Sequence, residues 1–269
     1  MKRIDYRNKT VIVTGASSGI GKELSFLLIK KYGCRVFAIA RNEKRLMEAK
    51  QELLDLGDSY VIYPMDVSVR ENWLSLAQFL KNSDTSVDIL INCAGILPKF
   101  ASVLNTDIEE YERSILINYM SQVYSCKIML PLINKGGTIV NVSSSSALCP
   151  FALTSAYTAS KSASMRFSES ISRELKDVSV SYVMCGFVKT DIMKNQSMND
   201  KEKRLINMFS SDCEKTVKKI LRRVRRRKKR IVTGADGHFL SLMYRLFPTF
   251  APKLIGGVLK KSGLDMFNN

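Results

Sequence analysis

The chain has 269 residues, 45% of them apolar, and carries 42 basic against 25 acidic side chains for a net charge of +17. That length and apolar share suffice for one large core, so a single domain over residues 1–269 is expected, a size common among α/β folds. Six scattered cysteines without a Cys-x-x-Cys pair, and His238 as the one histidine, argue against a metal centre and a disulfide framework. They also leave a Ser-His-Asp hydrolase dependent on a single distant, glycine-flanked imidazole.

The first ten residues read MKRIDYRNKT, and the apolar run behind them, Val11 to Val13, stops at Thr14-Gly15. Neither a secretory signal nor a membrane span is expected there, and a cytoplasmic protein is. Short β-branched runs then recur at 11–13, 35–40, 60–63, 89–91, 138–142, 178–184 and 230–233, separated by segments of helical period. This βαβ alternation predicts a doubly wound, mainly parallel sheet with helices on both faces. A ligand is expected at the carboxyl edge of the strands, where strand order reverses.

The first strand runs into Thr14-Gly15-Ala16-Ser17-Ser18-Gly19-Ile20-Gly21, ahead of a helical stretch from Lys22 to Lys31. Strand, glycine turn and helix together offer free backbone N–H groups and a positive helix terminus to a pyrophosphate. Gly15 permits the tight turn, Gly19 the close approach to phosphate, and Gly21 the packing of helix on strand. At the end of the second strand stands Arg41, where an NAD site needs an acidic side chain for the ribose hydroxyls. Arg41, helped by Arg45, favours the 2′-phosphate of NADP(H).

Tyr157 and Lys161 are four residues apart at the head of a small-residue helical run, on one helix face. An ammonium there stabilises phenolate, bringing a hydroxyl of ordinary pKa ~10 closer to neutrality as a general acid or base. Beyond it, 194–211 reads as a mobile helical lid. The run Arg222 to Arg230 reads either as a solvated helix face or as contact with an anionic membrane, and 238–269 as an apolar, interrupted tail that lies at that surface or forms a subunit contact. Nucleic-acid binding ranks last, since no aromatic platform accompanies the run.

TGASSGIG (14–21), Asp66-Val67, Asn92-Cys93-Ala94-Gly95, Asn118, serines 143–146, YTASK (157–161) and Gly186 to Thr190 follow one another in this order. As a set they resemble the short-chain dehydrogenase/reductase family, from about Lys9 to Asp191. The resemblance implies a seven-stranded Rossmann-like sheet and a catalytic set of Asn118, Ser144, Tyr157 and Lys161, with Ser144 chosen as the serine 13 residues before the tyrosine. It further implies that Lys161 holds the nicotinamide ribose and lowers the tyrosine pKa. Asn118 would prop open a helix kink and hold a water linking Lys161 to solvent.

By the same resemblance the dinucleotide is held by Gly15, Ser17, Ser18, Gly19, Ile20, Gly21, Arg41, Asp66, Val67, Asn92, Ala94, Gly95, Tyr157, Lys161, Val188 and Thr190. Cys185-Gly186 stands where the family has Pro-Gly, which loosens the turn carrying Val188 and Thr190. Dimers or tetramers built on the helices near Asp107 and Tyr157 are implied as well. The expected activity is ketone–alcohol interconversion on a lipophilic substrate, hydroxysteroid-like or a long-chain keto lipid. The wall expected to receive it is Ile96 to Pro98, Leu148 to Phe151, Ile192, Met193, Met198, Leu205, Ile206, Met208 and Phe209. A small-carbonyl or 3-ketoacyl reductase and a non-catalytic dinucleotide sensor are the rival readings.

Overall fold

Along the central strands Val11, Val13, Val36, Ala38, Ile89 and Ile91 alternate with Ile12, Phe37, Ile39 and Leu90, and both sets are buried. A strand whose two faces are both apolar can rest only in a sheet covered on both sides. The computed structural model describes residues 3–251 except 197, together with 253 and 257. In chain order the elements are β1 (Thr10–Thr14), α1 (Gly19–Tyr32), β2 (Arg35–Ala40), α2 (Glu43–Gln51), β3 (Tyr60–Pro64), α3 (Arg70–Asn82) and β4 (Val87–Asn92). They continue with α4 (Ile108–Ile115), a wide π turn (Leu116–Met120), α5 (Ser121–Met129), β5 (Ile133–Ser144), α6 (Ser155–Glu174) and β6 (Ser179–Cys185). The last are α7 (Asp200–Phe209), α8 (Cys213–Arg225), β7 (Arg230–Thr233) and α9 (Ala235–Leu246).

The seven strands are all parallel, in the order β3-β2-β1-β4-β5-β6-β7. Strand order reverses between β1 and β4, so the crevice for a ligand opens above their carboxyl ends. Leu24 and Leu28 of α1 and Val217, Ile220, Leu221 and Val224 of α8 cover one face. Trp73, Leu76 and Leu80 of α3 and Cys126 and Met129 of α5 cover the other. The Trp73 indole N–H donates to the Val67 carbonyl at 2.9 Å, so this large ring is buried without an orphaned donor.

All seven expected strands are present, and β5 is longer than expected: it starts at Ile133, with its irregular pairing to β4 falling across 134–137. The basic run is mostly exposed, but part of it is tied into the fold. Arg227 donates to Ser179 Oγ (2.9 Å) and the Gly136 carbonyl (3.0 Å), and Lys229 to the Ser172 carbonyl (2.7 Å). These bonds pin the return into β7 against β5, β6 and the end of α6. The expected lid contains α7, opened by a reciprocal cap between Asn199 and Glu202. The expected tail starts earlier, as α9 at Ala235, and docks through Leu240, Met243 and Ala251 onto Cys149 and Phe151. Leu254 and Ile255 and the side chain of Leu205 lie outside the described residues. Among the described residues no helix is long and apolar enough to cross a membrane, and no group of three or more His, Cys, Asp or Glu could hold a metal ion.

Candidate active site

Where β1 and β4 diverge, Thr14 Oγ1 accepts the Cys93 and Ala94 amides, each at 3.0 Å, and ties the two strand ends together. Gly15 follows at φ +69°, a left-handed conformation that strains any residue with a Cβ. A Cβ on Gly21 would collide with the Gly15 carbonyl oxygen, so helix and turn can approach this closely only with glycine. Tyr60 Oη donates to the Ala16 carbonyl at 3.0 Å and steadies the loop from below. Gly15, Ser18, Gly19, Ile20 and Gly21 line the cleft at the N-terminus of α1, where first-turn amides lack intrahelical acceptors. This concave, donor-rich turn fits the pyrophosphate of a nicotinamide dinucleotide.

The other expected cofactor residues divide into two groups. Ala94, Gly95, Val188 and Thr190 line the same cleft, as does Arg45. Arg41, just past the end of β2, is not among the residues lining the cleft and lies 3.9 Å from the Asp66 carboxylate. Asp66 also accepts from the Ser68 amide (2.9 Å) and hydroxyl (2.6 Å). Val67 is buried in the core beside Trp73. Asn92 is buried as well, and its amide donates to Asn141 Oδ1 (2.8 Å) while its Oδ1 accepts from Ser125 (2.8 Å). Its position makes it a brace between β4, β5 and α5 rather than part of the cleft wall.

The four expected catalytic side chains converge from three elements. Ser144 ends β5, Tyr157 and Lys161 stand one turn apart on α6, and Asn118 sits inside the π turn. The kink expected at Asn118 is this π turn. Asn118 Oδ1 accepts the Ile96 amide (2.8 Å), and its Nδ2 donates to the Ile96 carbonyl (3.0 Å) and Ser160 Oγ (2.9 Å). Lys161 is buried, with Nζ donating to the Val142 carbonyl at 3.2 Å and lying 5.9 Å from the Tyr157 ring centre. Ser143 Oγ donates to the Lys161 carbonyl at 2.8 Å, fixing strand to helix beside the pair.

The Tyr157 ring keeps some exposure to the cleft, yet the protein packed around it pushes the phenol up to about 12. A hydrogen bond with Ser144 pulls it back in part. Burial also lowers Lys161, which disfavours its ammonium. The expected fall of the tyrosine pKa is therefore reversed in sign, because desolvation of the phenolate exceeds what its neighbours return. Cys93 and Cys185 are neighbours of the pair, and burial raises their thiols to about 12 and about 11, so both stay neutral.

The cleft encloses about 1300 Å3. Beyond Ser144 and Tyr157 its apolar lining includes Ile96, Leu97, Pro98, Phe100, Phe151, Ile192, Met193, Met198 and Ile206, with Lys99, Asp107, Glu110, Arg113 and Lys203 lining it as well. Leu148, Cys149 and Pro150 of the expected wall do not line it, and Cys149 packs instead against Leu240 and Ala251. Met208 and Phe209 of the expected wall point outward and are exposed. Two side chains escaped sequence reasoning. Asp236, at the start of α9, accepts the Phe187 amide at 2.7 Å, and a Cβ on Gly186 would collide with its carboxylate. It thereby holds the turn after β6 that carries Cys185 in place of proline. A carboxylate between Gly234 and Gly237 after a buried strand was the available signal. Gln196 is the other, and nothing in its local sequence marks it.

The model of the short chain dehydrogenase family matches residues 9–201. The chain belongs to the short chain dehydrogenase family. This short chain dehydrogenase is 34% identical over 221 residues to 11-beta-hydroxysteroid dehydrogenase A of Sesamum indicum, covering 81% of this chain and 63% of that one. It is 29% identical to 3-ketodihydrosphingosine reductase of Bos taurus, over 86% of this chain and 73% of the relative. It thus spans less than two thirds of the sesame relative's length. A Burkholderia cenocepacia short chain dehydrogenase solved with NADP has the same fold, with TM-score 0.77, 23% identity and coverage of 92% and 97%. A Burkholderia phymatum short chain dehydrogenase/reductase solved with NAD matches at TM-score 0.78 and 19% identity, over 85% and 90%.

Proposed function

We propose that the chain is an NADP(H)-dependent oxidoreductase interconverting a ketone and a secondary alcohol of a lipophilic molecule. The observation that carries this reading is that Tyr157, Ser144 and the buried Lys161 line one cleft that begins in the glycine turn, with Lys161 Nζ 5.9 Å from the Tyr157 ring centre. When bound, the reduced nicotinamide would supply the hydride. The chain supplies the rest. Tyr157 Oη gives its proton to the carbonyl oxygen, and Ser144 Oγ hydrogen-bonds that oxygen as negative charge builds on it. Lys161 and Asn118 hold α6 and the 96–100 loop in place around them. Oxidation of the alcohol returns the proton to Tyr157.

Arg41 supports NADP over NAD, since a guanidinium there suits a 2′-phosphate and no acidic side chain ends β2. The apolar wall supports a lipophilic ketone, as do relatives named for steroid and sphingoid substrates. Assembly into dimers or tetramers is supported on the α4 side by the exposed Ile108 and, in the π turn that follows, Leu116. For residues 222–230 the solvated, structural reading is better supported than membrane contact, given the bonds of Arg227 and Lys229.

Tyr157→Phe removes one hydroxyl and little else. Ketone reduction followed by NADPH absorbance is expected to fall at least about a hundredfold, while NADPH binding followed by fluorescence stays within about twofold. A variant with the wild-type kcat refutes the assignment. NADPH binding with no turnover of any carbonyl by the wild type would instead favour the sensor reading.

A further inference from the structure

Gln196 is an anomaly in its own segment. Asp191, Ile192, Lys194 and Asn195 around it are exposed, while Gln196 is buried, at 7% exposure. A buried carboxamide must find partners for both ends, and this one finds them almost a hundred residues away. Its Nε2 donates to the Pro98 carbonyl and its Oε1 accepts the Phe100 amide, both at 2.9 Å. The same loop is gripped at its other end by Asn118, which takes both the N–H and the C=O of Ile96. Residues 96–100 are therefore pegged by two carboxamides, one next to the catalytic couple and one from the lid.

The far end of the lid is anchored too. Ser211 pairs with the turn after β6, its amide donating to the Phe187 carbonyl (2.8 Å) and its carbonyl accepting from Lys189 (3.0 Å). Between these anchors lie Met198 and Ile206, which line the same cleft as Leu97 and Phe100 of the pegged loop. The distance between the two apolar walls is thus set at one end by a single side chain.

We propose that Gln196 is a specificity-determining latch: it locks the lid to the 98–100 loop and so fixes the width of the slot in which the ketone lies against Ser144 and Tyr157. The substrate part rests on the function proposed above; the latch itself does not. Gln196 acts through the loop and is a positioning residue.

The test uses the full-length chain with NADPH, in Q196A and Q196E forms. Replacement by alanine leaves the Phe100 amide without its acceptor. Hydrogen exchange there is expected to quicken at least about tenfold, with no change across 157–161 to show that the fold is intact. The KM for 2-decanone is expected to rise about fivefold or more while kcat moves less than about twofold, the signature of lost binding rather than lost chemistry. A protonated glutamic acid reproduces both bonds, O–H to Pro98 and C=O from Phe100, whereas its carboxylate cannot donate. Because the carboxylate still accepts the Phe100 amide, Phe100 protection in Q196E should stay near wild type at both pH 5 and pH 8. Its KM should match wild type near pH 5 and rise toward Q196A near pH 8 as the bond to Pro98 is lost. Lys99, Asp191 and Lys194 are the charged neighbours, and the wild type and Q196A carry them too, so neither should show that step. Unchanged Phe100 exchange in Q196A, or no pH step in Q196E, overturns the latch. Faster exchange with an unaltered KM overturns its role in specificity. A wild-type chain that reduces no ketone refutes the proposed function, and the exchange measurements still decide the latch.

Discussion

Tyr157 shows how far a residue's chemistry depends on what surrounds it. With the phenol up to about 12, it is fully protonated at neutral pH and ready to act as an acid. Ketone reduction should therefore be flat from about pH 6 to 9 as far as this group is concerned. Alcohol oxidation needs the phenolate, whose population grows about tenfold per pH unit below its pKa, so its rate should climb through pH 8 to 10. Paired initial-rate profiles in the two directions check this, and an oxidation rate already level at pH 8 would show a far more acidic phenol. That Ser144, Tyr157, Lys161 and Asn118 come together was legible in the sequence through the ordered motifs on which the family resemblance rests. The direction of the Tyr157 shift was not, because it depends on how many atoms exclude water from the hydroxyl, and spacing carries no such measure.

The turn after β6 teaches the matching lesson about elements. Cys185 in place of proline suggested a loose turn, yet Asp236 from the start of α9 takes up the constraint by accepting the Phe187 amide. Burial raises the Asp236 carboxyl, and the backbone amides it faces, with a smaller contribution from nearby His238, only partly lower it again. Asp236→Ala should free residues 186–190 and raise the Kd for NADPH about tenfold, in line with loss of a charge-assisted hydrogen bond. Asp236→Asn keeps an acceptor and should stay within about threefold; fluorescence titration of both variants distinguishes a clamp from a bystander. Strands were legible wherever β-branched runs stood between turn residues. The early start of β5 and of α9 was not, since Gly136-Gly137 and Ala235-Asp236-Gly237 look like loop in sequence and are recruited by their neighbours. The brace made by Asn92 was not legible for a related reason: its motif is shared with cleft residues, while its side chain faces Asn141 and Ser125 inside the core.

At the scale of the whole molecule, a sheet covered on both faces buries phenols along with aliphatic side chains. Tyr6 and Tyr60 are fully buried, each donating to a backbone carbonyl, and burial raises both above the usual tyrosine value. Tyr157 shifts the same way. A group whose folded pKa exceeds its unfolded value, ~10 here, leaves stability intact below that pH and withdraws it as pH climbs toward the folded value. The melting temperature should therefore hold through about pH 9 and drop steeply above about pH 10, and Tyr60→Phe, which cannot ionise, should soften that drop. Calorimetry from pH 7 to 11 measures it, and a variant as alkali-sensitive as wild type would place the cause elsewhere. The doubly wound architecture itself was legible throughout, because the βαβ rhythm is a pattern of whole segments and survives local surprises.

The π turn at Leu116–Met120 has a further consequence for how this chain can change over time. A turn wider than the α-helical one shifts the angular phase of every later residue, at roughly 100° per residue in the regular helix that follows. Gln122 accepts from Ser164, and Ser125 donates to Asn92, only because that shift has been made upstream of them. Losing one residue between 116 and 120 would unseat Asn118 and also swing both of those groups off their partners. The segment can therefore tolerate exchange of its side chains far better than any change in its length.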